Sequence, residues 1–296
     1  MRYYRLLLVF ILFWGLAPIF AGENQENQVD PNLVVILSDI HVGANPNKPA
    51  YAAVPEVKLD RTVDQILAMN PRPVLVLHYG DISYNDGTKV DYEMLKPILA
   101  RLDDAGIPWV TTFGNHDRRD AFWSVFPEKH GVEEFPEKLV AVAQTDRAVF
   151  ILLDSLVEGN VSTLSDPAQL QWLDEKLQSL ESTGKHVYVG AHHPLNRIGA
   201  AEIIKKHPNV AGFIFGHEHY WNCETVDGIP CIGLPSTAYI ACNEYPEEVR
   251  PLGYVTLRLG ETEDVFTFHS RLKHQQDGQN FTVTPLCRDG AAGRLP

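Results

Sequence analysis

Cysteine is sparse in this 296-residue chain: Cys223, Cys231, Cys242 and Cys287 are the only four, and their spacing fits no zinc-ligand pattern. Basic clusters are missing as well. With 25 lysines and arginines against 38 acidic residues the formal charge is −13, and no Lys/Arg-rich block occurs, which argues against a broad nucleic-acid surface. There is no repeat and no low-complexity stretch, and 45% of the residues are hydrophobic, so disorder, collagen and coiled coil are excluded. Beyond residue 22 no apolar run is long enough to span a bilayer, so the mature chain is expected to be free of the membrane. Any phosphate chemistry in so acidic a chain must recruit positive charge from outside the sequence.

The one long apolar run lies at the start, where Arg2 and Arg5 precede residues 6–20 and Ala21-Gly22 opens the polar stretch ENQENQ. This reads as a secretory signal peptide over 1–21, since its 15-residue apolar run is shorter than the ~20 residues a spanning helix needs and is interrupted by Pro18. The expected address is secreted or periplasmic, the alternative being a membrane tether through an uncleaved N-terminal helix. A polar linker over 22–31, a single domain over 32–275 and a C-terminal tail over 276–296 complete the expected organisation. In an oxidising compartment the cysteines become candidates for one or two disulfides, with buried free thiols as the alternative. Cys223–Cys231 is the expected pair, because Val226-Asp227-Gly228 between them looks like a hairpin turn. The two can face each other only across a loop with an odd number of residues. A two-residue Asp-Gly turn would set Cys223 opposite Ile232 and Cys231 opposite Glu224.

Six short runs, NLVVILS, VLVLHY, PWVTTF, AVFILLD, HVYVGA and VAGFIF, are continuously apolar, as strands covered on both faces should be. Between them, apolar residues recur at helical spacing: Leu59, Val63, Ile66 and Leu67; Met94, Leu95, Ile98 and Leu102; and Leu170, Leu173, Leu177 and Leu180 behind Asp166-Pro167-Ala168-Gln169, which reads as a capping box. Strands alternating with helices predict an α/β sheet whose ligands sit beyond the carboxyl ends of the strands.

Five of the six buried runs empty into residues of metal-ligand type: Ser38-Asp39-Ile40-His41, Gly80-Asp81, Gly114-Asn115-His116-Asp117, Ala191-His192-His193-Pro194 and Gly216-His217-Glu218-His219. A lone Asp-x-His or His-x-His is ordinarily a surface loop or a satisfied histidine. Five such strand ends in one chain point the same chemistry at one place. Carboxylate, imidazole and amide donors without thiolate disfavour Cu(I) and iron–sulfur clusters and leave Mn, Fe, Zn, Co or Ni open. Hydrolysis of a phosphate ester needs charge neutralisation on the phosphoryl oxygens and a hydroxide at neutral pH, and paired metal ions supply both.

In order and spacing these motifs resemble the D-x-H, GD, GNH, H and GHxH pattern of the calcineurin-like binuclear metallophosphoesterases. The resemblance implies a two-sheet α/β/β/α sandwich that binds two divalent or mixed-valence ions. It implies Asp39, His41 and His219 on one ion, Asn115, His192 and His217 on the other, and Asp81 bridging. A hydroxide shared by the ions would attack phosphorus, with His116 beside the leaving oxygen and His193 on the substrate side or behind a ligand. The stretches ILLDSLVEGN, DPAQLQWLDEKL, HPNVAGFIFGHEH and LPSTAY are most similar to the class III cyclic-nucleotide phosphodiesterase branch. The phosphoprotein phosphatase signature GDxxDRG reads GDISYND here, without the arginine. Tyr84 sits at the tyrosine of the purple acid phosphatase pattern, but with His41 present it is not expected to ligate metal.

The implied substrate is a small phosphate ester, a phosphodiester in preference to a monoester. Alternatives are a phosphomonoesterase, a catalytically dead binding module and a domain stabilised by one structural metal. Blander roles are expected elsewhere: His78 as a packed strand histidine, Asp117 and Asp120 as helix caps, and Asp154 as a structural residue or an orienter of a ligand histidine. Residues 43–58, 155–165 and 236–250 are the candidate specificity loops.

Overall fold

The computed structural model describes residues 28–43, 54–238, 252–270 and 278–284. The expected signal peptide, Cys242, Cys287 and most of two candidate specificity loops lie outside the described residues.

The first half of the chain runs β1 (Val29–Leu37), α1 (Pro55–Leu67), β2 (Arg72–Tyr79), α2 (Lys89–Asp104), β3 (Trp109–Thr112), α3 (Arg119–Val125), β4 (Ala141–Gln144) and β5 (Ala148–Leu153). The second half runs α4 (Pro167–Leu180), β6 (His186–Ala191), α5 (Leu195–Ile198), α6 (Ala201–Ile204), β7 (Val210–Phe215), β8 (Asn222–Val226), β9 (Ile229–Gly233), β10 (Gly253–Arg258), β11 (Asp264–Ser270) and β12 (Asn280–Val283). They form two six-stranded sheets, ordered β12-β11-β10-β1-β2-β3 and β4-β5-β6-β7-β9-β8. Strands β1, β2 and β3 are mutually parallel, as are β5, β6, β7 and β9. The six apolar runs of the sequence are the parallel strands β1, β2, β3, β5, β6 and β7.

Alternation along each strand sorts side chains into three apolar layers. Val34 and Ile36 of β1 meet Phe150, Leu152, Tyr188 and Ile214 between the sheets. Val35 and Leu37, on the other face of β1, pack under α1, α2 and α3 with Leu59, Val63, Leu95 and Leu102. The outer face of the second sheet carries Ile151, Val187, Val189 and Phe213 against Leu173, Leu177 and Leu180 of α4. The result is the expected α/β/β/α sandwich. Among the described residues no helix is long and apolar enough to cross a membrane.

Four details depart from the sequence reading. Strand β1 begins at Val29, inside the expected linker, and β12 lies in the expected tail, where Phe281 pairs with Phe266 of β11. Asp166 caps α4 by accepting from Ala168 and Gln169 N–H, but Gln169 does not close a reciprocal box. Its side chain instead accepts from Asp154 N–H and donates to Asp154 C=O. The β8–β9 hairpin turns on the two residues Asp227-Gly228, at φ 52° and 83°, so Cys223 opposes Ile232 and Cys231 opposes Glu224. Cys231 therefore points into the α4 layer and Cys223 toward the inter-sheet layer; both are free thiols and the expected disulfide is absent.

Candidate metal centre

Five turns leave the carboxyl ends of β1, β2, β3, β6 and β7, and parallel pairing within each sheet brings those ends to one edge of the sandwich. Left-handed backbone concentrates there: Asp39, His41, Asp81, His217 and His219 all have φ between 44° and 68°. Such a conformation costs a non-glycine residue about 1–2 kcal/mol, and the surrounding turns overdetermine it. Gly114 is required by closeness instead, since a Cβ there would fall 2.3 Å from Asp81 N and 2.2 Å from its Oδ1.

The turns bring together two donor groups that share Asp81. In each, the ligand atoms lie within 4.8 Å of one another: Asp39, His41, Asp81 and His219 in one, Asp81, His192 and His217 in the other. In the first, His219 Nε2 is 3.0 Å from Asp39 Oδ1 and 3.3 Å from His41 Nε2. Asp81 accepts His116 N–H at Oδ1, 2.9 Å, while its Oδ2 stands 3.6 Å from His41 Nε2 and 3.2 Å from His192 Nε2. One carboxylate oxygen thus faces both groups. Asn115 Oδ1 lies 3.1 Å from His192 Nε2 and 2.8 Å from His217 Nδ1, placing the amide in the second group. His192 donates Nδ1–H to Tyr79 C=O at 2.8 Å, which aims Nε2 inward, the usual orientation of a metal-binding imidazole.

Burial sets the charges of the metal-free centre. It pushes His41 down to about 3 and His217 to about 4, leaving both neutral. Burial also opposes charge on Asp39 and Asp81, but the imidazoles of His219 and His192 outweigh it and hold both carboxyls well below their ordinary range. His192 shows the reverse balance: burial lowers it, but Asp81, Asp39 and the Tyr79 carbonyl together raise it by more, and it stands at about 9. Convergent imidazole, carboxylate and amide donors, two of the imidazoles already deprotonated, suit a cation of intermediate hardness.

His116 sits beside the first group, its ring 5.1 Å from that of His41, and its Nδ1 bonds Asn85 C=O at 2.8 Å. His193 is placed differently from a group that touches substrate. It is fully buried, with Nδ1 on Ser155 Oγ at 2.8 Å and Nε2 on Val161 C=O at 3.0 Å.

Of three supporting residues, one departs from its expected role. Asp117 caps no helix; it is buried and accepts from Ile82, Ser83 and Gly114 N–H and from Tyr92 O–H, tying the GD turn to the GNH turn. Asp154 touches no histidine but pairs with Arg119 at 2.8 Å and accepts from Leu139 and Leu156 N–H. His78 is the packed strand histidine expected, buried on β2 with Nδ1 on Thr111 Oγ1. Motif reading also missed Ser38, whose hydroxyl donates to Asp39 Oδ2 at 2.5 Å, and Ser236, which donates to Asp39 C=O. Adjacency to Asp39 was the only signal for Ser38.

The family model for calcineurin-like phosphoesterases matches residues 33–221. The chain is 24% identical to a probable cyclic nucleotide phosphodiesterase of Psychrobacter arcticus, over 86% of this chain and 98% of that protein. It is 26% identical to the 3',5'-cyclic adenosine monophosphate phosphodiesterase CpdA of Vibrio vulnificus, over 68% and 74%. In fold it is similar to a dimetal phosphatase from Danio rerio, with a TM-score of 0.65, 17% identity, and 87% and 100% of the two chains covered.

Proposed function

This chain belongs to the calcineurin-like phosphoesterase family and is a metal-dependent hydrolase, and from that premise we propose that it is a binuclear phosphodiesterase. The observation that carries the reading is the sharing of Asp81 by two donor groups. Asp39, His41, His219 and Asp81 would hold one ion; Asn115, His192, His217 and Asp81 would hold the other. When bound, such a pair would supply charge neutralisation on the phosphoryl oxygens and a hydroxide nucleophile at neutral pH. His116 is the proton donor for the leaving oxygen: its Nδ1 is committed to Asn85 C=O, so Nε2 is the nitrogen free to serve the substrate.

The phosphodiester preference rests on likeness to the two phosphodiesterases and on scarce cations. A monoester dianion carries one more charge and calls for extra cationic donors, typically arginine. Arg118 is turned to Asp86 C=O and Glu158, and Arg119 to Asp154 and Glu158. One observation favours the phosphomonoesterase reading: Arg197 Nη1 stands 3.1 Å from His217 Nε2, at the rim of the second group. An exported address, expected from residues 1–21, would fit recovery of phosphate from external esters.

Asp81→Asn is the decisive variant. The purified protein should lose metal and fall at least about 100-fold in turnover of bis(4-nitrophenyl) phosphate. Two metals per chain with near wild-type turnover would refute the shared-ligand assignment. The wild type, assayed with one reconstituted metal at one pH, should prefer this diester to 4-nitrophenyl phosphate in kcat/KM. A monoester preference of tenfold or more, about 1.4 kcal/mol in transition-state binding, would make it a phosphatase through Arg197.

A further inference from the structure

Residues 83–88 leave the GD turn and run past His116 to the start of α2. The segment is pinned at both ends: Tyr84 N–H bonds Val42 C=O at 2.8 Å, and Thr88 caps α2 with Asp91 closing the reciprocal box. Between those anchors the backbone is left-handed twice, at Asn85 with φ 57° and at Gly87 with φ 61°. Asp86 N–H bonds Tyr84 C=O at 2.7 Å, so Asn85 stands at the apex of a three-residue turn. With positive φ at its centre, such a turn is the rare and strained form.

The strained segment touches the GNH turn at three points. Ser83 Oγ donates to His116 C=O at 2.8 Å, Asn85 C=O lies 2.8 Å from His116 Nδ1, and Asp86 C=O accepts from Arg118 Nε at 3.3 Å. A carbonyl only accepts, so His116 carries a proton on Nδ1. Among the described residues no other hydrogen bond reaches that ring. Gly87 is buried against the same turn, where a Cβ would fall 2.7 Å from Arg118 N and 2.9 Å from the His116 carbonyl oxygen. Backbone atoms cannot yield as a flexible side chain can. Asparagine tolerates left-handed backbone, whereas a β-branched residue there is a genuine outlier. Asn85-Asp86-Gly87 thus supplies the residue types that this turn demands.

We infer that Asn85 and Gly87 are positioning residues for His116: their left-handed turn brings a backbone carbonyl onto Nδ1, holds the proton there and leaves Nε2 for the leaving oxygen. The inference rests on the reading of His116 as proton donor given above, and names what keeps the imidazole in that pose.

The first test needs no turnover. In the metal-free protein at alkaline pH, long-range proton–nitrogen NMR of the histidine rings should place the His116 proton on Nδ1 in the wild type. Asn85→Gly, which adopts left-handed backbone freely, should keep it there, whereas Asn85→Val and Gly87→Ala should give a mixture of both tautomers. The second test compares methyl 4-nitrophenyl phosphate, whose leaving group departs unaided, with methyl phenyl phosphate, whose leaving group needs a proton. Their ratio of kcat/KM does not respond to a mere loss of active protein, since both esters then lose alike. His116→Ala should raise the ratio by about 100-fold. Asn85→Val and Gly87→Ala should raise it by about tenfold, through kcat and with metal content unchanged, and Asn85→Gly should keep the wild-type value. With His116→Ala behaving as expected, a wild-type ratio in Asn85→Val and Gly87→Ala, or equal shifts in Asn85→Gly and Asn85→Val, would overturn the inference alone. A ratio that His116→Ala leaves unchanged would overturn the proton-donor reading beneath it. Were only monoesters cleaved, the phosphodiester reading would fall and the same ratio would be read from 4-nitrophenyl and phenyl phosphate.

Discussion

Asp81 Oδ2 and His192 Nε2 stand 3.2 Å apart at the middle of the centre, and in the metal-free chain a proton occupies the place a cation would take. Burial pushes His192 down, but Asp81 with Asp39 and the Tyr79 carbonyl outweighs it and raises the imidazole to about 9. The sign follows from that upward shift. The pair stabilises the metal-free fold fully below the ordinary histidine value of about 6.5 and loses its contribution as pH rises through about 9. Metal binding runs the other way, because a cation entering at Nε2 must displace the proton. His41 and His217, already neutral, release none. Apparent metal affinity should therefore climb about tenfold per pH unit between 7 and 8.5 and flatten above 9. Calorimetric titration in two buffers of different ionisation enthalpy should find about one proton released per chain at pH 7.5. No release, or an affinity independent of pH over that range, would mean that His192 is not the site of competition. The ligand types were legible in the sequence because their chemistry is carried by residue identity. Which imidazole is charged was not, since that depends on the distance from each ring to a carboxylate contributed by another turn.

Turns between elements hold the donors in place, and Asp117 joins two of them. Its carboxylate accepts from the GD turn at Ile82 and Ser83 and from the GNH turn at Gly114, while Tyr92 of α2 donates from below. Asp117→Asn keeps the size but puts an amide N–H₂ where one oxygen now receives donors. A buried donor facing donors costs about 2–4 kcal/mol. Urea unfolding should show a midpoint lowered accordingly with an unchanged slope, and metal affinity should fall because Asp81 and Asn115 lose their common anchor. A stability within about 0.5 kcal/mol of wild type would show that the four donors find other partners. This role was hidden in the sequence for a physical reason. An aspartate before a helix has the same local pattern whether it caps that helix or bonds a turn 35 residues earlier. Central strands were legible because burial on both faces leaves a continuous apolar run, as in VAGFIF of β7. Strands β10 and β11 alternate burial, and β12 and β8 are short sheet edges, so their periodicity does not stand out from turn sequence. The cysteine pair failed on register alone, by the one residue that separates a two-residue turn from a three-residue one.

Across the whole molecule the two sheets are clasped at opposite ends by different means. Away from the metal centre, buried Asp264 at the start of β11 accepts from Tyr188 O–H at 2.7 Å and lies 2.8 Å from Nδ1 of His186, the first residue of β6. That clasp is made of protein alone. At the other end Asp39, His41, Asp81 and Asn115 come from the first sheet, and His192, His217 and His219 from the second. Each donor group mixes both, so a cation in either one would cross-link the sheets. Without cations that edge retains five residues in left-handed backbone. Metal binding to the folded chain alone stabilises by about 2.7 kcal/mol at a free concentration 100 times Kd. For a domain of this size that corresponds to roughly 5–10 °C in Tm. Calorimetry should show Tm falling by about that much in excess chelator, returning on addition of metal, and rising with the logarithm of metal concentration. Asp81→Asn should flatten this dependence, since it removes the donor common to both groups. A wild-type Tm that ignores metal over a hundredfold range would mean that the sheets are held by the inter-sheet core and the Asp264 clasp, with the metal centre contributing nothing to the fold.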